Sequence, residues 1–115
     1  MPAYVKNRDL REQIIISQEQ DMLTDEAVRM LSLMAHKFGY KLSYVEPMDR
    51  EDCEAFAVLD LLLYWKGYNP EKSQNAFAYY TQIIKNGYAK GWKKLHGQMP
   101  NSTRISLSYH TLYNL

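Results

Sequence analysis

One cysteine, Cys53, is all the thiol this sequence contains. No intramolecular disulfide can form from it and no cysteine-based zinc site can be assembled, a usage that fits a reducing cytosol. Histidine is scarce as well: His36, His96 and His110 fall on three separate stretches without ligand spacing, so neither a metal nor another cofactor is expected. A Ser/His/Asp arrangement, a glycine-rich phosphate loop and an isolated carboxylate pair are also missing, which disfavours an enzyme. The opening MPAYVKNRDL lacks the basic-then-apolar pattern of a secretory signal, and the longest apolar-rich run, Ala55 to Trp65, is too short to span a bilayer. Secretion and membrane insertion are therefore not expected. Nothing divides the 115 residues: no repeat, no low-complexity stretch, no Pro/Gly/Ser linker, hence one domain with one modest core.

The most informative absence is that of acid. The last carboxylate side chain is Glu71. Residues 1–71 hold eight Lys/Arg against 13 Asp/Glu, a balance of −5, whereas residues 72–115 hold six Lys/Arg and no acid, a balance of +6. Seven aromatics share that acid-free tract: Phe77, Tyr79, Tyr80, Tyr88, Trp92, Tyr109 and Tyr113. Cations that neutralise phosphates, interleaved with rings that stack on bases, are what a polyanion-binding surface needs. A solvated helix followed by a basic tail has the same composition and stays open as the alternative.

Hydrophobic spacing predicts four helices. The first spans about Arg8 to Ser17, with Leu10, Ile14 and Ile15 as its apolar stripe. Thr24 opens the second as an N-cap, followed by Asp25 and Glu26 in the first turn, and Gly39 stops it. After a link containing Pro47, Asp49 is positioned to cap a third helix ending near Trp65. A fourth follows the turn Lys66-Gly-Tyr-Asn-Pro70, is capped by Asn75 and runs to about Lys94, beyond which Gly97 and Pro100 punctuate a tail.

Two of these helices carry functional hints. Between Ala55 and Trp65 only Asp60 interrupts the apolar and aromatic residues, so the third helix must be covered on two sides. Either it is the central helix of the bundle, which needs nothing outside the chain, or a protein partner covers one side; the central position is the expectation, and Cys53 reads as a small buried thiol. In the fourth helix Phe77, Tyr80, Ile84, Tyr88, Trp92 and Leu95 recur at steps of three and four and form a core stripe. Tyr79, Gln82, Ile83, Asn86 and Lys90 make the neighbouring face, with residue types that stack on a base, bond a base edge and hold a phosphate. Gly87 and Gly91 each cost the helix roughly 1 kcal/mol relative to Ala, which makes sense where a backbone or ligand comes close.

Arg50-Glu-Asp-Cys-Glu before the apolar helix, Tyr68-Asn-Pro-Glu-Lys-Ser, and Asn75-Ala-Phe-Ala-Tyr-Tyr-Thr-Gln-Ile-Ile84 together resemble region 2 of the sigma-70 family of bacterial RNA polymerase sigma factors. The chain looks most like the compact late-transcription sigma factors of large tailed phages, and Tyr4-Val5-x-Asn7-x-x-Leu10 is similar to how those proteins begin. The resemblance covers residues 4 to about 95. It implies an all-α, compact bundle of about four helices over residues 1–97, a C-terminal tail over 98–115, and action in the cytoplasm of an infected bacterial host.

Position by position, the resemblance implies that Tyr79 stacks the adenine flipped out of the promoter's −10 element. Thr81 and Ile84 match the family's Thr and Ile, and Lys85 matches a basic residue. Asn86 falls where the family has a Gln reading the upstream edge of the element, and Lys90 matches an Arg. Lys93 and Lys94 complete the expected DNA-binding set. Gln82 and Ile83 stand where housekeeping members have a Trp pair, so the wedge that opens the duplex is weaker here. On the third helix, Asp52, Glu54 and Phe56 are the expected contacts to the clamp helices of the largest subunit of core RNA polymerase, although Phe56 replaces a family acid. At 115 residues the sequence is not expected to hold the family's −35-reading domain. Phage late sigma factors end in a hydrophobic segment that docks on the DNA sliding clamp; Leu112, Tyr113 and Leu115 are the candidates for it here, without the usual acids, and a tail packing back on the core is the other reading. A coactivator is a further implied partner. The alternative function is a helical adaptor that binds polymerase or clamp without reading DNA.

Overall fold

The computed structural model describes residues 5–42 and 47–96. Among them are four α-helices and no strand: α1 (Asn7–Gln20), α2 (Asp25–Gly39), α3 (Pro47–Tyr64) and α4 (Ala76–His96), with a 3₁₀ turn, Trp65–Gly67, following α3. The four helices expected from periodicity, in an all-α bundle, are therefore what forms among the described residues.

Local chemistry sets the helix ends. Thr24 Oγ1 accepts the Ala27 N–H at 3.0 Å, as its N-cap position requires, and donates to Gln13 Oε1 at 2.8 Å, which ties α2 to α1. The turn between them is made by Asp21 in the left-handed region (φ 60). The third helix begins earlier than expected: Pro47, whose fixed φ suits a first helical position, opens it, and Asp49 lies in the first turn, where its Oδ2 is 3.1 Å from His96 Nε2. Asn75 caps α4 as expected, its Oδ1 accepting the Ala78 N–H at 2.9 Å. A second cap comes from 70 residues away, for Asn7 Oδ1 accepts the Phe77 N–H at 2.9 Å while its Nδ2 donates to the Gln74 carbonyl at 3.0 Å.

The central helix is α4, not α3. It packs on α1 and α2 and most extensively on α3. Tyr80, Ile84, Tyr88 and Trp92 are buried as the stripe predicted, whereas its two end members, Phe77 and Leu95, each next to an end of the helix, are 38% and 39% exposed. Both fully buried tyrosines keep a partner for their hydroxyls: Tyr80 donates to the Trp65 carbonyl and Tyr88 to the Ala35 carbonyl, each at 2.6 Å. Burial pushes both phenols well above their ordinary pKa, so they stay neutral donors at any working pH.

The two glycines explain how closely α3 and α4 approach. A methyl added at Gly87 would lie 2.5 Å from Ala57 Cα, and one at Gly91 would lie 3.0 Å from Cys53 Cα. Small residues on both helices, with Cys53 and Ala57 fully buried, let the backbones meet in antiparallel register. Only one side of α3 is used in this way. Its buried set is Cys53, Ala57, Asp60 and Leu61, while Leu59, Leu62 and Leu63 are 52%, 53% and 62% exposed. The expectation of a central α3 fails because the chain has no further helix among the described residues to place over its second apolar side.

Candidate nucleic-acid interface

Turning α4 so that its core stripe faces inward leaves Gln82, Asn86, Lys93 and Lys94 exposed. Gln82 Nε2 donates to Asn86 Oδ1 at 2.9 Å, one turn apart, so these two amides form a pre-linked polar pair on the surface. Each amide has further donor and acceptor capacity for a base edge. Acidic side chains are absent from this helix, whose four lysines are Lys85, Lys90, Lys93 and Lys94.

The flanks of the face differ from the sequence reading. Tyr79 is half-buried rather than open: its ring meets Tyr80 edge-on at 5.0 Å and Tyr68 at 5.5 Å, and its hydroxyl lies where Gly67 would carry a Cβ. It forms one wall of an open concavity also lined by Tyr68, Asn69, Lys72, Ser73 and Asn75. Ile83 packs against the core from the same flank and is half-buried, so it cannot stand out as a wedge. Lys85 lies half-buried on the opposite flank, apart from the Tyr79 group. Lys90 is on the face but already engaged, its Nζ 2.9 Å from Oδ1 of Asp60, a carboxylate only 5% exposed. That bond raises the lysine's pKa above its ordinary value.

The N-terminal amides of α4 carry no invitation to a phosphate, because Asn7 and Asn75 take the Phe77 and Ala78 N–H groups. A smaller cleft of about 220 Å³ lies on the other flank of the helix, floored by Met34, Phe38 and Ile84 and rimmed by Lys37, Lys41 and Thr81.

On α3 the three expected partner contacts diverge. Asp52 is exposed and points outward. Glu54 turns toward α2, where its Oε1 is 3.0 Å from His36 Nδ1. Phe56 leans on α4, close enough that a methyl on Gly91 would lie 3.0 Å from its Cδ2. The structure therefore does not gather Asp52, Glu54 and Phe56 into one patch. It does present an uncovered apolar side, for which the alternative read from the sequence is a protein partner: Asp52, Ala55, Leu59 and Leu62 are all exposed at steps of three, four and three, with Leu63 beside them. This is the spacing of a seam onto which another helix packs at a shallow angle. The signal was present in the two-sided hydrophobicity of residues 55–65, but periodicity alone does not say which apolar side is left uncovered. A groove along the seam's α2 side is lined by His36, Glu51, Glu54, Val58 and Leu59, giving the apolar strip an acidic margin.

Leu112, Tyr113 and Leu115 lie outside the described residues. Among the described residues no group of three or more His, Cys, Asp or Glu is placed to hold a metal ion, and no helix is long and apolar enough to cross a membrane. Comparison with known proteins finds no matching family model, and no curated protein or solved structure matches the chain.

Proposed function

We propose that this chain is a sigma-type transcription initiation factor that binds host core RNA polymerase through α3 and recognises and melts a −10-like, A/T-rich phage late promoter element through α4. One observation carries the reading: the two exposed helix surfaces have opposite chemistries. The outward seam of α3 is apolar with an acidic margin, suited to a helical protein partner, and the outward row of α4 is polar, basic and acid-free, suited to nucleic acid. Gly87 and Gly91 pack the two helices back to back, so a protein on one and DNA on the other do not compete for the same surface.

In this reading Tyr79 and its concavity receive an unstacked base, Gln82 and Asn86 address base edges, and Lys93 and Lys94 contact phosphates. The clamp helices of the polymerase's largest subunit lie along Asp52, Ala55, Leu59 and Leu62. The tail after residue 97 reaches the sliding clamp, and the setting is the cytoplasm of the infected host. A helical adaptor that contacts polymerase without reading DNA is the second reading, favoured by the half-buried state of Tyr79 and the engagement of Lys90. Reconstitution separates the two: host core polymerase, this chain and a −10-type promoter should give a sequence-specific open complex, whereas an adaptor gives a complex with polymerase and no promoter opening.

A further inference from the structure

Asp60 is the one acid in the apolar run of α3, and it is turned inward, with its side chain 7% exposed. A carboxylate so placed needs a cation, and it takes one from the neighbouring helix. Lys90 leaves its own side chain 54% exposed on the α4 face while its ammonium sits 2.9 Å from Asp60 Oδ1. The two ends of the pair are thus unequal: the anion has little access to water, and the cation has ample access.

We propose that Asp60 is an internal counter-anion that withholds Lys90 from nucleic-acid phosphates, so that the free chain meets DNA one cation short. This rests on the reading of α4 as the DNA-contacting helix. A phosphate that captured Lys90 would strand a buried charge, which a flexible surface lysine such as Lys93 or Lys94 never does. Lys90 therefore adds little to counterion release while the pair is closed. The pair also ties α3 to α4 from the inner side of α3, and Lys90 lies one turn from Asn86 on the α4 face.

The test is the salt dependence of binding to a nonspecific duplex, measured by fluorescence anisotropy for the full chain. Asp60→Asn should bind about five- to tenfold more tightly near 0.1 M salt and steepen the slope of log K against log salt by about 0.9, the increment of one added phosphate contact. The double variant Asp60→Asn/Lys90→Gln should return to the parent's slope. Lys93→Gln, which changes an exposed cation of the same face, should flatten the slope by about 0.9. An unchanged Asp60→Asn beside a flattened Lys93→Gln overturns the proposal and leaves the DNA reading standing; no effect from either variant overturns both. Weaker binding by a folded Asp60→Asn makes Asp60 a positioning residue instead, and a steep slope that survives in the double variant assigns the effect to lost negative charge in general. Far-UV circular dichroism checks the fold, and Asp60→Ala repeats the measurement if the Asn variant does not fold.

Discussion

Gly87 rests on the backbone of Ala57, so closely that a methyl group added to the glycine would stand 2.5 Å from Ala57 Cα and 3.0 Å from its nitrogen. That contact fixes the spacing of the helices whose outer surfaces are the two candidate interfaces. Neither side has a flexible group that can give way, since both atoms belong to the α3 main chain.

Gly87→Ala should therefore destabilise the protein even though alanine is the better helix former. Relief of the glycine's entropic cost returns at most about 1 kcal/mol, against about 1–3 kcal/mol for overpacking a tight contact. Gly91→Ala, with 3.0 Å to Cys53 Cα and to the Phe56 ring, should lose less. Urea unfolding of the three proteins gives the order directly; equal midpoints for parent and Gly87→Ala would show that α3 and α4 separate without penalty.

The seam makes a prediction that runs the other way. Leu59 and Leu62 are about half exposed, so Leu59→Ser and Leu62→Ser should each cost no more than about 1–1.5 kcal/mol of unfolding free energy. If a helical partner packs there, affinity for core polymerase should fall at least tenfold in the double variant, because apolar anchors are worth about 1.5–3 kcal/mol each when fully buried. Asp52→Arg should weaken the same complex by charge reversal at the seam's edge. Pull-down with purified core polymerase distinguishes the outcomes, and unchanged capture by both the double variant and Asp52→Arg removes the seam from the docking surface.

Deleting residues 106–115 addresses the tail. An apolar plug such as Leu112 and Tyr113 buried in a clamp pocket supplies a few kcal/mol, roughly the burial of two large side chains and enough for a tether. Basal initiation should be unaffected by the deletion, and stimulation by a loaded sliding clamp should disappear. Equal loss of both activities would give the tail a structural role in the domain.

Most of the fold is legible in the sequence because it is decided locally. Thr24 and Asn75 announce their caps through side chains that bond amides three residues on, and the buried Tyr80, Ile84, Tyr88 and Trp92 follow from a 3.6-residue period. What escapes is settled by residues far apart in the chain. Lys90 has the type and register of a phosphate contact, but its carboxylate partner is 30 residues away, on another helix. Tyr79 has the register of an open stacking platform, yet the turn after α3 lays Tyr68 and Gly67 against it. Position on a helical face is set by the period, whereas exposure on that face depends on the loops and helices that fold over it.

Adjacent tyrosines provide the sharpest test. Tyr80 is fully buried with its hydroxyl on the Trp65 carbonyl, so Tyr80→Ala should cost about 3–5 kcal/mol in stability, and Tyr80→Phe about 1–2 kcal/mol through the unpaired carbonyl. Tyr79 is half-buried at the edge of the same cluster and should lose much less on truncation. Its cost should appear in promoter melting. Extruding a base takes a few kcal/mol and an aromatic stack returns about 1–3 kcal/mol of it; with Gln82 and half-buried Ile83 in place of a wedge, Tyr79 has little help. Tyr79→Ala should keep polymerase binding and closed-complex formation while lowering open-complex formation on duplex promoter at least tenfold, and a promoter already mismatched at the flipped base should recover much of the loss. Permanganate footprinting of the opened strand, read beside thermal melting of the free variants, gives both quantities. An exchange of the two phenotypes would put the register of α4 off by one residue; melting unaffected by Tyr79→Ala would leave the adaptor reading in possession of α4.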